Sequence, residues 1–432
     1  MPPRLLKNKT NYKPHMDKSV SAGSIRGTIT PPSSKSYAQR AIALALLTNG
    51  RSVLRNLEFC KDTRSALKCI EALGAKVEFL DDSTLAIEGG LKPTSNTLYV
   101  GESGLATRLF TPIASLNPTP LTIQGEGTLL YRPMTMMIEP LRQLGVQVRD
   151  GGGFLPIEVQ GPIHGGKIKV DGSVSSQFIT GLLLALPLAK EDTTLYVDSP
   201  VSTPYIDMTI DTARHFGVEI MHNEGDYSEF FIEGGQQYTP TDLAIEGDWS
   251  GAASILVAGA IAGEVTVKNL STLSKQADTA ICRALERAGA GIVIEQDSIT
   301  VSKRNLRAFE FDATNCPDLF PALAALAAAA EGVSVIKGTN RLRHKESDRA
   351  ETICSEYEKL GIEVDISEDN IMRIRGGEIH PATTFSHDDH RIAMSLAISA
   401  LRCKGEVVIE NAECVEKSYP TFFEDLESII ER

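Results

Sequence analysis

The chain has 432 residues, of which 43 are basic and 56 are acidic, so its formal net charge is −13 at pH 7. Because nucleic-acid binding usually needs a basic face, this charge argues against a nucleic-acid partner. The longest apolar runs, such as LFPALAALAAAA at 319–330, are shorter than the roughly 20 residues of a membrane span.

Cysteine usage and the N-terminal segment indicate the compartment. The seven cysteines include no C-x-x-C pair, which favours reduced thiols over a secreted disulfide framework. The basic segment at 1–18 lacks the apolar stretch of a secretory signal. We therefore expect a cytoplasmic protein, and its length predicts two or three domains.

Six apolar stretches, about 70 residues apart, predict helices that are buried on nearly every side. In chain order they are YAQRAIALALL, LATRLFTPIASL, FITGLLLALPLA, AASILVAGAIAG, LFPALAALAAAA and IAMSLAISAL. Each follows a polar segment, in turn SSKS, GESG, SVSSQ, GDWSG, NCPD and DDHR. A helix N-terminus offers free N–H groups and about half a positive charge, so each entrance is a natural anion site.

A second series of helix-like stretches ends in glycine and passes into a β-branched run. These are EALGAKVEF, RQLGVQVRD, RHFGVEIM, ERAGAGIVIE and EKLGIEVDI, and FFEDLESIIER predicts a further helix. Their glycines are spaced by 71, 72, 72 and 72 residues and are Gly74, Gly145, Gly217, Gly289 and Gly361. Glycine at the C′ position accepts the left-handed conformation, so each copy predicts a helix, a stop and a strand.

Together with strands such as KIKVDG, TLYVDS and EVTVKN, the two series predict six small α/β units, three in each domain. The units are too long for common solenoid repeats. The alternative is that six unrelated segments share this spacing by chance. If the helix entrances of both domains converge on one cleft, that cleft attracts anions whatever the net charge outside.

The segment RLRHKESDR (341–349) concentrates positive charge within this acidic chain. We interpret it as helical, so that Arg341, Lys345 and Arg349 form a column of cations. Like charges at this spacing repel, and a bound multivalent anion would stabilise them. The alternative is an ordinary surface helix with a pair between Glu346 and Arg349.

Two further clusters combine hydroxyl, amide and cationic groups. In PPSSKSYAQR (31–40), Ser36 and Arg40 share a helix face and Lys35 lies at the entrance, although a capped helix with solvated charges explains the pattern equally. In DGSVSSQF (171–178), Ser175, Ser176 and Gln177 exceed the single serine that a cap needs. Their three uncharged side chains can form hydrogen bonds with the hydroxyl groups and phosphate oxygens of a ligand.

Metal and nucleotide sites are not favoured. HDDHR (387–391) has metal-binding residue types, but no further His or Cys cluster has ligand spacing. We interpret it as a helix entrance with His390 and Arg391 facing an anion. GPIHGGKI (161–168) lacks the last residue of a P-loop and runs into a strand, and no G-x-G-x-x-G follows a strand.

In this order, eight motifs resemble the enolpyruvyl transferases: SSKSYAQR, GESGLATR, YRPM, DGSVSSQF, VSTPYIDMT, KESDR, DDHRIAM and KSYP. The resemblance covers nearly the whole chain from about Gly23. It implies an α/β fold of two similar domains, each with three βαβαββ units and buried central helices, around a cleft. It also implies that residues 1–32 and 246–432 form one discontinuous domain and residues 33–245 the other.

The family member that these motifs resemble most moves the enolpyruvyl (carboxyvinyl) group of phosphoenolpyruvate to the 5-hydroxyl of shikimate 3-phosphate. This addition–elimination, a step of aromatic amino-acid biosynthesis, passes through a tetrahedral intermediate and releases phosphate. The resemblance thus implies small anionic substrates and no metal or organic cofactor. We expect a monomer without nucleic-acid or membrane partners.

The resemblance also implies roles for individual residues. Asp318 would be the base at the 5-hydroxyl, Glu346 would carry the proton at C3, and Lys35 would assist proton movement at the departing phosphate. Phosphoenolpyruvate would contact Lys35, Gly104, Arg132, Gln177, Arg349, Arg391 and Lys417. Shikimate 3-phosphate would contact Lys35, Ser36, Arg40, Ser175, Ser176, Gln177, Ser202, Tyr205, Asp318 and Lys345. Arg341 and His390 are further candidates.

The chain departs from the common family pattern at three positions. Glu102, Leu105 and Arg341 stand where many members have Asn, Thr and Asn. A carboxylate beside a substrate phosphate is unfavourable unless it turns away or pairs with a cation such as Arg132. These departures alter the surroundings of the expected phosphate contacts but remove no predicted catalytic group.

Two other functions are alternatives. The sister enzymes that act on UDP-N-acetylglucosamine typically carry a cysteine in the mobile loop before the conserved Arg-Pro, and the corresponding loop here, GEGTLLYRP (125–133), has none. A non-catalytic anion-binding scaffold would keep the core helices but need not keep Asp318, Glu346 and Lys35 together.

Overall fold

The computed structural model describes residues 16–223 and 225–431. Its α-helices are α1 (Lys35–Leu47), α2 (Lys61–Ala72), α3 (Gly104–Ala114), α4 (Thr135–Gln143), α5 (Ser176–Ala185), α6 (Thr203–His215), α7 (Trp249–Ala262), α8 (Ile281–Ala288), α9 (Phe320–Ala329), α10 (Arg349–Lys359), α11 (His390–Ala400) and α12 (Phe422–Ser428). The first half of the chain contains strands β1 (Lys18–Ser21), β2 (Ile25–Ile29), β3 (Arg51–Arg55), β4 (Lys76–Phe79), β5 (Leu85–Glu88), β6 (Thr97–Tyr99), β7 (Leu121–Gln124), β8 (Gln147–Asp150), β9 (Ile157–Gln160), β10 (Gly166–Asp171) and β11 (Thr193–Asp198). The remaining strands are β12 (Met221–His222), β13 (Glu229–Ile232), β14 (Asp242–Ala244), β15 (Gly263–Lys268), β16 (Gly291–Ile294), β17 (Ser298–Ser302), β18 (Glu310–Asp312), β19 (Val333–Lys337), β20 (Val364–Asp365), β21 (Ile371–Arg375), β22 (Ala382–Phe385) and β23 (Glu406–Glu410).

Three sheets have all their strands in one continuous stretch of chain, in the orders β6-β7-β9-β8, β10-β11-β13-β12 and β18-β19-β21-β20. In each, the first two strands are parallel and enclose a helix in the sequence. The last two strands form an antiparallel pair. These are the βαβαββ units that the resemblance implies, and they correspond to the small α/β units that the 72-residue period predicts.

The other three sheets borrow a strand from a distant part of the chain. β14 pairs in parallel with β3, and β2 pairs in parallel with β15. In the three-stranded sheet β1-β23-β22, β1 pairs antiparallel with β23. The N-terminal strands β1 and β2 therefore complete two sheets whose other strands come from the second half of the chain.

The apolar residues form two separate cores. The first core contains α1, α3 and α5 and uses residues between Tyr37 and Ile245. The second core contains α7, α9 and α11 and uses residues from Trp249 to Ile429 together with Val20, Ile25 and Ile29. This division supports the predicted domain boundaries near residues 32 and 246, which stay a prediction. Residues 1–15 of the predicted discontinuous domain lie outside the described part.

The six helices predicted to be buried are buried. Every residue of α7 and of α11 is shielded from solvent, which accounts for their apolar character on all sides. Five of the six entrances carry a side-chain cap that accepts a backbone N–H of the first turn: Ser34, Ser103, Ser175, Asp248 and Asp389. At α9 a 3-10 turn, Pro317–Leu319, takes the place of such a cap.

The five glycines of the second series end helices as predicted. Their φ angles are +108°, +81°, +82°, +87° and +82° for Gly74, Gly145, Gly217, Gly289 and Gly361. The chain then enters β4, β8, β12, β16 and β20. Only glycine adopts this backbone conformation without strain, so the glycine period reflects the helix-to-strand turn of each unit.

The helical interpretation of RLRHKESDR is wrong. A 3-10 turn covers Thr339–Arg341, irregular turns follow, and α10 begins only at Arg349. A helical column would stack Arg341, Lys345 and Arg349 against each other, whereas the irregular backbone lets Lys345 and Arg349 reach carboxylates. The charges are thus separated rather than aligned.

The described residues include no helix that is long and apolar enough to cross a membrane.

Two glycine substitutions separate backbone strain from steric overlap. A Cβ atom at Gly289 would meet only Asn305 O, at 3.5 Å, whereas one at Gly74 would overlap the Lys92 carbonyl. We expect Gly289→Ala to lower the free energy of unfolding by about 1 kcal/mol, the cost of the left-handed conformation. Gly74→Ala carries the same strain plus the overlap, and we expect a larger loss in urea denaturation. Equal losses would contradict this.

Candidate active site

Two adjoining cavities of about 50 Å³ each lie between the two cores. The serine cavity is lined by Ser36, Arg40, Leu105, Ser175, Ser176, Gln177, Ser202, Tyr205, Pro317, Asp318, Arg341 and Lys345. The lysine cavity is lined by Lys35, Ser36, Gln39, Asp62, Gly104, Leu105, Arg132, Gln177, Asp318, Lys345 and Glu346. Asp318 and Lys345 belong to both cavities, so the two spaces meet at these side chains.

Helix entrances bring most of these residues together. Lys35 is the first residue of α1, Gly104 the first of α3 and Ser176 the first of α5. Asp318 lies in the 3-10 turn before α9, and Arg391 lies in the first turn of α11. The N-terminal ends of helices from both cores thus face one region, as the polar segments before the apolar helices predict.

Arg349 is the centre of a buried charge cluster and is only 1% exposed. Its guanidinium donates to Asp389 at 2.7 and 3.2 Å, to Asp318 at 2.7 Å and to Glu346 at 2.9 Å. Asp389 is also the N-cap of α11, where it accepts the backbone N–H of Arg391 at 3.0 Å. One side chain therefore ties α10 to the entrances of α9 and α11.

Asp318 is surrounded by cations. Its carboxylate is 3.1 Å from Lys345 Nζ, 2.7 Å from Arg349 Nη1 and 3.6 Å from Arg391 Nη2. Burial alone would raise the pKa of Asp318, but these three charges outweigh it and hold the pKa well below its ordinary value. Asp318 is therefore ionised and able to accept a hydrogen bond from a hydroxyl in the serine cavity.

Glu346 is the corresponding carboxylate of the lysine cavity. Burial would raise its pKa, but Arg349 and Arg132 outweigh this effect and hold the pKa well below the ordinary range. Because these cations control the ionisation, an anion that neutralises them would raise the pKa of Glu346. The geometry thus links proton uptake by Glu346 to anion binding.

Lys35 and Lys417 share one buried carboxylate across the cleft. Asp62 lies 3.1 Å from Lys35 Nζ and 3.3 Å from Lys417 Nζ. Burial lowers the pKa of Lys35, but Asp62 and Glu346 raise it more, so the net shift is upward and the ammonium stays protonated. Beside this cluster, Lys61 pairs with Glu416 at 3.0 Å. Since α2 belongs to the first core and residues 416–417 lie on the side of the second, the cleft is closed here.

Gly104 allows two guanidinium groups to approach the start of α3. A Cβ atom at this position would lie 2.8 Å from Arg132 Nη1 and 3.0 Å from Arg108 Nη1. Arg108 donates to Gln177 Oε1 at 2.9 Å, which fixes the amide in the wall of both cavities. A side chain at residue 104 would therefore displace cations from the lysine cavity.

The serine cavity is held by hydrogen bonds within the protein. Arg40, which is buried, donates four of its five possible hydrogen bonds to Thr209, Ser36, Thr180 and Tyr205. Ser175 caps α5 through the Gln177 N–H, and Ser202 accepts from Arg341 at 3.4 Å. The hydroxyl of Tyr205 donates to Asp278 at 3.4 Å.

Four of the predicted site residues lie behind the walls of the two cavities rather than in them. Arg349, Arg391, Lys417 and His390 line neither the serine cavity nor the lysine cavity. The first three reach lining carboxylates through the ion pairs described above. Burial and then Lys35 and Arg391 lower the pKa of His390 well below its ordinary value, so its ring is neutral. Within the described chain neither ring nitrogen has a hydrogen-bond partner.

The three residues that differ from the common family pattern lie around the entrance of α3 and in the serine cavity. Glu102 turns toward the loop at 125–133, where a Cβ atom at Gly127 would overlap its carboxylate. In the described residues no ion pair joins Glu102 to Arg132, and burial, opposed by Lys417, raises the pKa of Glu102. Leu105 lines both cavities, and Arg341 lines the serine cavity.

Sequence reasoning missed four residues that shape the site, namely Asp62, Asp389, Asp278 and Arg108. Asp389 stands in HDDHR, and its position before an apolar helix is a usable capping signal. Asp62 is an acid in the first turn of α2, a common surface pattern that gives no hint of Lys35 or Lys417. Asp278 and Arg108 become visible only once distant strands and helices pack.

Within residues 16–223 and 225–431 no group of three or more His, Cys, Asp or Glu side chains could hold a metal ion.

Comparison with known proteins places the chain among well-defined relatives. A family model described as EPSP synthase (3-phosphoshikimate 1-carboxyvinyltransferase) matches residues 20–426. A 3-phosphoshikimate 1-carboxyvinyltransferase from Clostridium perfringens is 36% identical over 414 residues, which cover 95% of this chain and 97% of that protein. One from Methanosarcina acetivorans is 38% identical over 422 residues, with coverage of 95% and 97%.

Solved structures give the same result for the fold. EPSP synthase from Acinetobacter baumannii aligns with a TM-score of 0.81 at 28% identity, over 96% of this chain and 98% of that one. The enolpyruvyl transferase NikO from Streptomyces tendae aligns with a TM-score of 0.77 at 18% identity, with coverage of 96% and 98%, and at this identity it supports the fold alone. The predicted enolpyruvyl transferase fold is confirmed, and the chain belongs to the EPSP synthase family.

Proposed function

We propose that this protein transfers the enolpyruvyl group of phosphoenolpyruvate to the 5-hydroxyl of shikimate 3-phosphate and releases phosphate. The observation that carries the proposal is that Asp318, Glu346 and Lys35 line adjoining cavities between the two cores. A binding scaffold would have no need to join these three groups. The names of the relatives support the same reaction and do not favour transfer to UDP-N-acetylglucosamine.

In the first half of the reaction, shikimate 3-phosphate lies in the serine cavity with its 5-hydroxyl at Asp318. Asp318 takes the hydroxyl proton, the oxygen bonds to C2 of phosphoenolpyruvate, and Glu346 gives a proton to C3. The product is a tetrahedral intermediate. The anionic groups of phosphoenolpyruvate neutralise Arg132 and Arg349, which raises the pKa of Glu346 and lets it carry that proton.

In the second half, the intermediate loses phosphate. Glu346 takes the proton back from C3, the C2–C3 double bond forms again, and the C2–O bond to phosphate breaks. Lys35, kept protonated by Asp62, gives a proton to the leaving phosphate. Asp318 must then lose the proton it took from the hydroxyl, and Lys35 must regain one, before the next cycle. With this return transfer, the net result is that one proton passes from the hydroxyl to the released phosphate.

Charge and hydrogen bonding support the binding assignments that the resemblance implies. Arg132 and Lys35 would hold phosphoenolpyruvate directly, while Arg349, Arg391 and Lys417 would act on it from the buried charge network. Ser36, Ser175, Ser176, Ser202 and Tyr205 offer hydroxyl groups to shikimate 3-phosphate. The cytoplasmic location and the monomeric state stay predictions.

Phosphate release tests the proposed reaction directly. Mixed with phosphoenolpyruvate alone, the protein is expected to release no phosphate beyond the buffer background. Shikimate 3-phosphate should start stoichiometric release, because the transferred group has no other acceptor. UDP-N-acetylglucosamine in its place should give none. Release with UDP-N-acetylglucosamine, or none with either acceptor, would overturn the proposal.

Glu346→Gln tests the proton carrier. The amide keeps the shape of the side chain but cannot shuttle a proton, so kcat is expected to fall by at least about 100-fold, the usual contribution of general acid–base catalysis. Binding of shikimate 3-phosphate, measured by calorimetry, should persist. Glu363→Gln, at an exposed ion pair with Arg375, is the matched control and should retain turnover. Wild-type turnover of Glu346→Gln would remove this residue from the mechanism.

Arg132→Ala tests the anion site of the lysine cavity. Loss of a charge-assisted contact to a bound anion typically costs about 1.5–3 kcal/mol, so KM for phosphoenolpyruvate is expected to rise by about 10- to 100-fold. KM for shikimate 3-phosphate should change less. Arg149→Ala removes the same type of side chain from an exposed position of β8 and serves as the control. An unchanged KM for phosphoenolpyruvate would contradict the assignment of Arg132.

A further inference from the structure

A third cavity adjoins the serine and lysine cavities and is much larger, at about 380 Å³. We call it the vestibule; its wall includes Arg108, Arg132, Asn340, Arg341, His344 and Lys345. It shares Arg132 with the lysine cavity and Arg341 with the serine cavity. Asn340 and His344 are exposed, so the vestibule lies on the side of the site that faces solvent.

The vestibule is positive and has no acidic lining. Four of its lining residues are Arg or Lys, and none of the described residues that line it is Asp or Glu. Lys345 is neutralised by Asp318, but Arg108 and Arg341 form no ion pair within 4 Å in the described chain. Arg108 is buried and Arg341 is partly buried, and cations shielded from water without a counter-charge are unfavourable, so this arrangement favours an anion.

Unused hydrogen-bond donors give a second, independent indication. In the part of the chain that the structure describes, Arg108 Nε, Arg132 Nε and Arg341 Nη1 are buried and have no partner. Arg108 is 3% exposed. The pKa of Arg108 is lowered to about 9, first by burial and then by Arg132. Buried donors are normally satisfied, and a tetrahedral oxyanion offers acceptors in the directions that arginine forks require.

We propose that the vestibule is a third anion site, which adjoins the sites of the two substrates and shares Arg132 and Arg341 with them, and that it takes inorganic phosphate. This inference rests on the proposed function, because phosphate is the product released at the adjoining lysine cavity. Arg108, Arg132 and Arg341 would hold the ion on its way to solvent. An ion held there obstructs release of the next phosphate, so product inhibition has a component that phosphoenolpyruvate does not relieve.

Inhibition kinetics at constant ionic strength test this site. Phosphate that competes in the lysine cavity alone raises KM for phosphoenolpyruvate and leaves kcat unchanged. Phosphate in the vestibule also lowers kcat at saturating phosphoenolpyruvate. We expect both effects in the wild type. In Arg341→Asn the inhibition constant for the kcat effect should rise at least about tenfold, because a charge-assisted contact is lost.

Arg343→Asn is the matched control, since Arg343 lies two residues away, is exposed and does not line the vestibule. It removes the same charge and should keep the wild-type pattern. Purely competitive inhibition in the wild type, or equal behaviour of the two variants, would overturn the proposal.

Direct binding separates this proposal from the proposed reaction. The phosphorus-31 line width of inorganic phosphate can be measured without turnover. Broadening that Arg341→Asn reduces and Arg343→Asn does not would support the vestibule even if no enolpyruvyl transfer occurred. Equal broadening in both variants would reject the vestibule even if the transfer were demonstrated.

Discussion

The site depends on the ion pairs of Arg349, a buried guanidinium that contacts Asp318, Glu346 and Asp389. A lone charge at this depth would be very unfavourable, and three carboxylates without it would repel each other. The cluster is therefore stable only as a whole. It also joins α10 to the entrances of α9 and α11, so the charge balance of the cluster and the placement of Asp318 and Glu346 come from the same contacts.

Around this cluster the protein controls ionisation by neighbouring charge rather than by burial. Burial would raise the pKa values of Asp318 and Glu346, yet nearby cations lower both. The opposite balance applies at Asp278, where burial and the charge of Asp318 raise the pKa. Substrates with several negative charges change such a balance strongly. Proton transfer therefore depends on whether the substrates are bound, since the carboxylates become proton carriers only when anions contact the cations around them.

Much of the fold could be predicted from the sequence period because each unit repeats the same turn from helix to strand. Gly74, Gly145, Gly217, Gly289 and Gly361 all mark a left-handed turn from helix to strand, and a turn of this kind is decided by a few adjacent residues. The buried helices could be predicted because a helix that no water contacts needs no polar face, and their sequences are apolar on nearly every side.

The candidate active site could be predicted from the sequence only in part. Helix entrances such as Ser175 and Lys35 follow from local signals, but pairs such as Asp62 with Lys417 join residues that are far apart in sequence. The helical prediction for 341–349 was wrong because the cation spacing fits a helix, whereas the side chains of this segment pair with Asp318, from before α9 in the same unit, and with Asp389, from the next unit. The individual roles of the predicted site residues stay predictions.

The borrowed strands impose an order on assembly. β1 and β2 precede the first core in the chain, yet their partners β23 and β15 come after it. Until then both carry open backbone edges that could pair with another molecule. During translation β1 and β2 therefore stay without these partners while the first core forms, and a chaperone that covers their edges in this interval would prevent pairing with another molecule.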